Sequence, residues 1–250
     1  MATKPGQNST DKKAPKRLPT LEMIISLAGF IAGVLARLSF EEVKHLLGNK
    51  NTVLRKALEK VFEITADPYA EVRAEWQKFY QDHFKMVTDF SEVVVRERPK
   101  VGSWRLIFIP MGLSMNATLA IMRSKFQVWV YAEDLDASVT VNTRTSTMSY
   151  AVWVRDGVEP DGEFLGKSTR DSDMAGSIGM TLLERMVFEV KYFVETGQHL
   201  DNTGMTFCTG SRYADGRVPC VCWLPRPSWV CVFACPVDDA HPTFGLRQAA

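Results

Sequence analysis

The sequence predicts an α+β protein, with a helical N-terminal module followed by a mixed α/β module that ends in an antiparallel β-meander. Three observations carry this prediction. Apolar residues recur at helical spacing up to about Phe84. Short β-branched and aromatic runs begin at Trp104. The last three runs follow one another closely, with turn residues between them. The expected boundaries are a disordered basic tail at 1–20, a helical module at 21–95, an α+β domain at 100–240 and a flexible C-terminal tail at 241–250.

Composition narrows the classes further. Of 250 residues, 46% are apolar and 24% charged, which are ordinary globular values and exclude a highly charged disordered chain. The formal net charge of +1 conceals a division. Residues 1–62 carry 11 Lys+Arg against 5 Asp+Glu, net +6, and residues 63–250 carry 19 against 24, net −5. The tail holds Lys4, Lys12, Lys13, Lys16 and Arg17 among small and polar residues, too little apolar surface to offset its ordering entropy.

Met23–Ala36 is uncharged along its whole length. Fourteen residues of helix rise about 21 Å against roughly 30 Å of bilayer hydrocarbon, so a buried helix is expected and no transmembrane span. A secretory signal peptide is the competing reading, with Val34-Leu35-Ala36 as a small-residue cleavage site. Against it stand the long leader, Glu22 at the apolar edge and the unbroken helical pattern beyond. Five cysteines cannot all pair within one chain, which points to a reducing cytoplasm.

Ser39-Phe40-Glu41-Glu42 forms a capping box, and the helix it opens stops at Gly48-Asn49-Lys50-Asn51. A second helix follows to Phe62. The pair has the look of a helix-turn-helix, in which Lys50, Arg55, Lys56 and Lys60 are the candidate nucleic-acid contacts; the plainer alternative is a helical hairpin with solvated lysines. Asp67-Pro68 caps a third helix whose aromatic face, including Trp76, Phe79, Tyr80 and Phe84, is expected to dock on the next module.

Trp104–Ile109, Gln127–Ala132 and Tyr150–Val154 read as strands, and Ser114–Phe126 as a helix. The first strand–helix–strand unit is compatible with a parallel crossover pair. Thr181-Leu182-Leu183-Glu184 is a second capping box, and Gly197 a left-handed helix stop. Between them the apolar stripe runs from Leu182 to Val194, with Glu184, Arg185, Glu189, Lys191 and Glu195 on the other side. Met205–Cys208, Val218–Leu224 and Trp229–Cys235 complete the meander.

Several segments recur in a fixed order: Trp76-Gln77-Lys78-Phe79-Tyr80, Asp89-Phe90-Ser91, the stretch 150–156, Leu183-Glu184-Arg185, the stretch 195–201, Cys208-Thr209-Gly210-Ser211-Arg212 and the stretch 215–219. Over roughly residues 76–224 the chain resembles a group of uncharacterised bacterial proteins. The resemblance implies no activity and no site. Its pattern includes a cysteine at Cys208 but does not call for Cys220, Cys222, Cys231 or Cys235.

Three sets of side chains are candidate chemistry. His199, Asp201 and Cys208 would make a nucleophilic site if the fold brought them within hydrogen-bond reach; the alternative is a loop histidine near a core cysteine. Cys220, Cys222, Cys231 and Cys235 would hold zinc if two strands paired as a hairpin, although C-x-C and C-x₃-C are not the usual knuckle spacings; a disulfide among them is a further alternative, and buried thiols are the simpler expectation. Asp134 and Asp136 after one strand, and Asp156 and Glu159 after another, would gather at one sheet edge if those strands were parallel neighbours. No nucleophile elbow, phosphate loop, dinucleotide fingerprint or zinc-protease helix is present. No cofactor is expected, zinc being the sole candidate. The function expected is non-enzymatic binding or scaffolding, with a protein partner ahead of a small molecule, and with nucleic-acid binding and a metal-binding or hydrolytic role as alternatives.

Overall fold

The computed structural model describes residues 67–171 and 179–250, together with Ile25, Ser26, Gly29, Phe30 and Gly33. The chain divides into two units, residues 1–70 and 71–250. In the first, the five isolated positions are helical, as expected for Met23–Ala36, but they are exposed, Ile25 at 57% and Phe30 at 71%. The burial expected for Met23–Ala36 is not seen at these five positions. The predicted hairpin and Lys50, Arg55, Lys56 and Lys60 lie outside the described residues. Among the described residues, no helix is long and apolar enough to cross a membrane.

The second unit is built around one helix, α4 (Leu182–Thr196), whose ends are fixed as the sequence predicts. Thr181 Oγ1 accepts from the Glu184 amide while the Glu184 carboxylate accepts from the Thr181 amide, and Gly197 closes the helix at φ 69°. Its surroundings differ from the prediction. Every residue from Leu182 to Lys191 is buried, including Glu184, Arg185 and Glu189, so the side read as polar faces protein.

Among the described residues the other helices are α1 (Ala70–Phe79), continued by a π-helical turn over Tyr80–Phe84, α2 (Met115–Lys125), the single turn α3 (Leu135–Ser138) and a 3-10 turn at Gly162–Phe164. Three sheets accompany them among the described residues. The first pairs β1 (Trp104–Ile109) with β4 (Tyr150–Arg155), antiparallel, Trp104 opposite Arg155. The second has five strands in the order β2-β8-β7-β5-β9, from β2 (Val128–Val130), β5 (Met205–Phe207), β7 (Val218–Leu224), β8 (Trp229–Cys235) and β9 (Phe244–Leu246). The third is a short pair of β3 (Val141–Asn142) with β6 (Ser211–Arg212). The β5-β7-β8 core is the predicted antiparallel meander, so the α+β class stands.

Three expectations are corrected. β1 and β2 belong to different sheets, so the parallel crossover does not form; β2 instead runs parallel to β8, Val128 opposite Val230. The helical module does not run to residue 95, because α1 is part of the second unit. Trp76 Nε1 donates to the Leu106 carbonyl at 3.1 Å and Tyr80 Oη to that of Phe108 at 2.7 Å, which docks the predicted aromatic face on β1. Residues 241–250 are no flexible tail. β9 pairs in parallel with β5, and the chain then crosses to β4, where the Ala250 amide donates to the Trp153 carbonyl at 2.8 Å. Arg247 within this segment is fully buried. Backbone pairing and one buried cation order a stretch whose composition reads as loop.

Candidate functional site

Consecutive residues of α4 feed two clusters of opposite design. Arg185 donates through Nε and Nη2 to Asp201 Oδ2, at 3.1 and 2.8 Å, and through Nη1 to Glu189 at 2.7 Å. Arg247 reaches Asp201 Oδ1 at 2.9 Å and also donates to the carbonyls of Arg155, Gly157 and Val158. The four charged side chains are sealed from water. Two guanidiniums against two carboxylates leave no net charge, the condition under which burial is tolerable. Burial works against the Arg185 charge, yet Asp201 and Glu189 hold its pKa above the ordinary range.

His199 closes this cluster. Its Nδ1 meets Glu189 Oε1 at 2.8 Å, and its ring stacks on Trp223 at 3.8 Å and 13°. Two of the predicted trio, His199 and Asp201, thus sit at one network but bond to different partners, with both Asp201 oxygens occupied by arginine. Burial pushes the Cys208 thiol up to about 12, the neighbouring Arg185 only partly opposing it. A neutral thiol with a histidine turned to Glu189 is a core arrangement, not an activated nucleophile.

The other predicted sets disperse. Cys220 and Cys235 form a disulfide between β7 and β8, while Cys222 stands opposite Cys231. All four sit in an apolar cluster with Phe164, Met205, Phe207, Val218 and Leu246. Among the described residues no group of three or more His, Cys, Asp or Glu is placed to hold a metal ion. The Cys220–Cys235 disulfide takes two of the four thiolates out of the predicted zinc set. The acidic loops also part, since β2 and β4 belong to separate sheets. Asp134 caps α3 and accepts from Asn116, which lowers its pKa. Asp136 takes the first amides of α2, from Met115 and Asn116. Asp156 pairs with Arg105 at 3.0 Å, and Glu159 accepts from the amides of Asn202, Thr203 and Gly204. Each carboxylate is a local cap or clamp.

The second cluster opens outward. Arg144 donates through Nε and Nη2 to the two oxygens of Glu184, at 2.6 and 2.8 Å, and through Nη2 to the Gly179 carbonyl at 2.8 Å. Tyr150 Oη adds a bond to Glu184 at 2.9 Å. Burial and then the Glu184 charge hold the tyrosine pKa far above its ordinary value, so it stays a neutral donor. Arg144 Nη1 makes no hydrogen bond among the described residues.

Arg144 lines a cavity of about 660 Å³ between β4, the 143–145 segment, the 209–210 turn and residues 94–96. Close backbone approach shapes one wall. A Cβ on Gly179 would lie 1.9 Å from Thr209 Oγ1, and one on Gly210 would lie 3.0 Å from the Gly179 carbonyl oxygen. Among the described lining residues the ionisable side chains are those of Arg96, Arg144 and Tyr150, and Ala250, the last residue of the sequence, lines the cavity with them. A second cavity of about 510 Å³ shares Arg144 and Thr145. Sequence reasoning did not single out Arg144, Arg185 or Arg247. One signal was available for Arg185: the apolar positions of α4, with Phe188 among them, extend beyond a single stripe, so its charges had to be buried with partners.

No protein-family model matches the chain, and no curated protein and no solved structure matches it either.

Proposed function

We propose that this chain is a non-enzymatic binding protein and that the 660 Å³ cavity beside Arg144 is its ligand seat. The observation that carries this reading is the contrast in ionisable groups. Candidate acids, bases and nucleophiles (Glu189, His199, Asp201, Cys208) are buried in contact with one another or with core residues. The cavity presents fixed donors and hydroxyls instead. Its volume lies within the range of small-molecule sites, which supports a small ligand over the protein partner expected from the sequence.

The test is native mass spectrometry of the full chain against a mixed panel of anionic, neutral and cationic small molecules. Compounds retained by the wild type are expected to lose about tenfold or more in affinity in Ala151→Trp, which fills the cavity wall. A panel with no retained compound overturns the binding reading. Turnover of a retained compound overturns the non-enzymatic one.

A further inference from the structure

Resting on the binding reading above, we infer that the cavity takes a short extended peptide, which pairs through its backbone with Ala151 as an added strand on β4. The inference starts from the two edges of β4. In an antiparallel pair, successive residues turn their backbone N–H and C=O groups alternately toward one neighbour and away from it. Trp153 spends both groups on Ala250: its amide donates to the Ala250 carbonyl at 3.0 Å, and its carbonyl accepts from the Ala250 amide at 2.8 Å. The Arg155 amide likewise donates to the Gln248 carbonyl at 3.2 Å. The Asp156 amide turns the other way, to the Ser103 carbonyl at 3.0 Å. Odd-numbered residues of β4 therefore face away from β1, while Val154 and Val152 carry the ladder to Arg105 and Ile107.

Ala151 is the next odd position. Its N–H and C=O point to the side of β4 on which 248–250 lie, and neither group hydrogen-bonds to a described residue. The segment 248–250 covers this edge at Trp153 and Arg155 and stops short of Ala151. The cavity begins there, since Tyr150, Ala151 and Val152 line it together with Ala249 and Ala250. An unpaired donor and acceptor on a strand edge, in line with a segment already paired to that edge, can receive a further strand.

The facing wall suits a backbone ligand. Thr143, Thr145, Thr209, Gly179 and Gly210 are short side chains or none, which leaves room for a chain lying along β4 at the usual strand spacing of about 4.8 Å. Pairing of this kind asks for no charge on the ligand. That agrees with an Arg144 whose charge is already met by Glu184.

The experiment uses NMR on the isotope-labelled full chain with two blocked peptides, acetyl-Val-Ala-Val-Ala-amide and acetyl-Ser-Val-Ser-Val-amide. Without peptide, the Ala151 amide hydrogen is expected to exchange at least about tenfold faster than those of Val152 and Val154, and saturating peptide is expected to slow it about tenfold or more. A single backbone N-methyl group, moved along the peptide, is expected to weaken binding about tenfold or more at one position. Ala151→Pro removes the donor from the protein side and spares the ladder to β1, because proline is tolerated where a strand N–H faces off the sheet; the same loss is expected. The N-methyl scan keeps the proposal falsifiable where this variant fails to fold. Slow exchange at Ala151 before peptide is added means that the edge is already covered, and overturns the proposal. Binding that is insensitive to N-methylation at every position also overturns it. If neither peptide binds while the mixed panel still yields a ligand sensitive to Ala151→Trp, this inference fails alone; if the panel yields none as well, the binding reading fails with it.

Discussion

Glu184 and Arg185 are neighbours on α4, yet the ion pairs they enter have opposite fates. Arg185 joins Glu189, Asp201 and Arg247 in a sealed network. Glu184 is equally buried, but its partner Arg144 keeps 22% of its side-chain surface accessible and ends at a cavity. Helical geometry sends adjacent residues about 100° apart, so one turn can serve both a core and a site. The lesson is one of enclosure. Where both partners of a pair are sealed from water, as Arg185 is with Asp201 and Glu189, the pair belongs to the core; where one partner keeps accessible surface, as Arg144 does, the pair reaches a cavity wall.

The sharpest way to break this comparison is Asp201→Ala. It leaves buried Arg247 without a paired carboxylate and Arg185 with Glu189 alone, and is expected to cost about 3–5 kcal/mol in urea unfolding. A loss below about 1 kcal/mol would mean that water reaches the network. Arg144→Ala should cost less, about 1.5–3 kcal/mol, because Glu184 keeps the Thr181 amide and Tyr150 Oη as donors. If the two variants were equally destabilised, the proposed difference between sealed and open clusters would disappear. Thr181→Ala removes half of the capping box that aims both residues, at about 1 kcal/mol by the same measurement.

A smaller effect concerns Asp161, at the edge of the sealed region. Burial raises its pKa from 3.8 to about 6, although the Gln248 amide, Arg247 and Arg155 oppose the shift. A carboxyl with a raised folded pKa binds more protons folded than unfolded between those values. Its stabilising contribution is therefore present below about pH 4 and is lost as pH rises through about 6. Asp161→Asn keeps an acceptor for the Gln248 amide, so its stability relative to wild type should rise between pH 4.5 and 7.5. A flat difference would show that Asp161 ionises without penalty. Last, Cys208 should resist thiol reagents at neutral pH until the chain unfolds, since its thiol is buried with a pKa near 12.

The sequence of this protein determined its local structure well. Thr181, Glu184 and Gly197 bound α4 because capping chemistry acts within four residues, and Val218–Leu224 and Trp229–Cys235 form strands because alternation and turn residues are local signals. The aromatic face of α1 was legible for the same reason. Tertiary structure alone decided the rest. Sequence spacing does not state which strands pair, so the separation of β2 from β4, which dispersed the acidic loops, was invisible. Nor does composition show that residues 241–250 return to β5 and β4, since parallel pairing is set by partners far along the chain. Arg247 meets Asp201 across 46 residues, and Arg144 meets Glu184 across 40. Long-range ion pairs carry no sequence signature, because charge acts through space and no residue type encodes which distant partner will neutralise it.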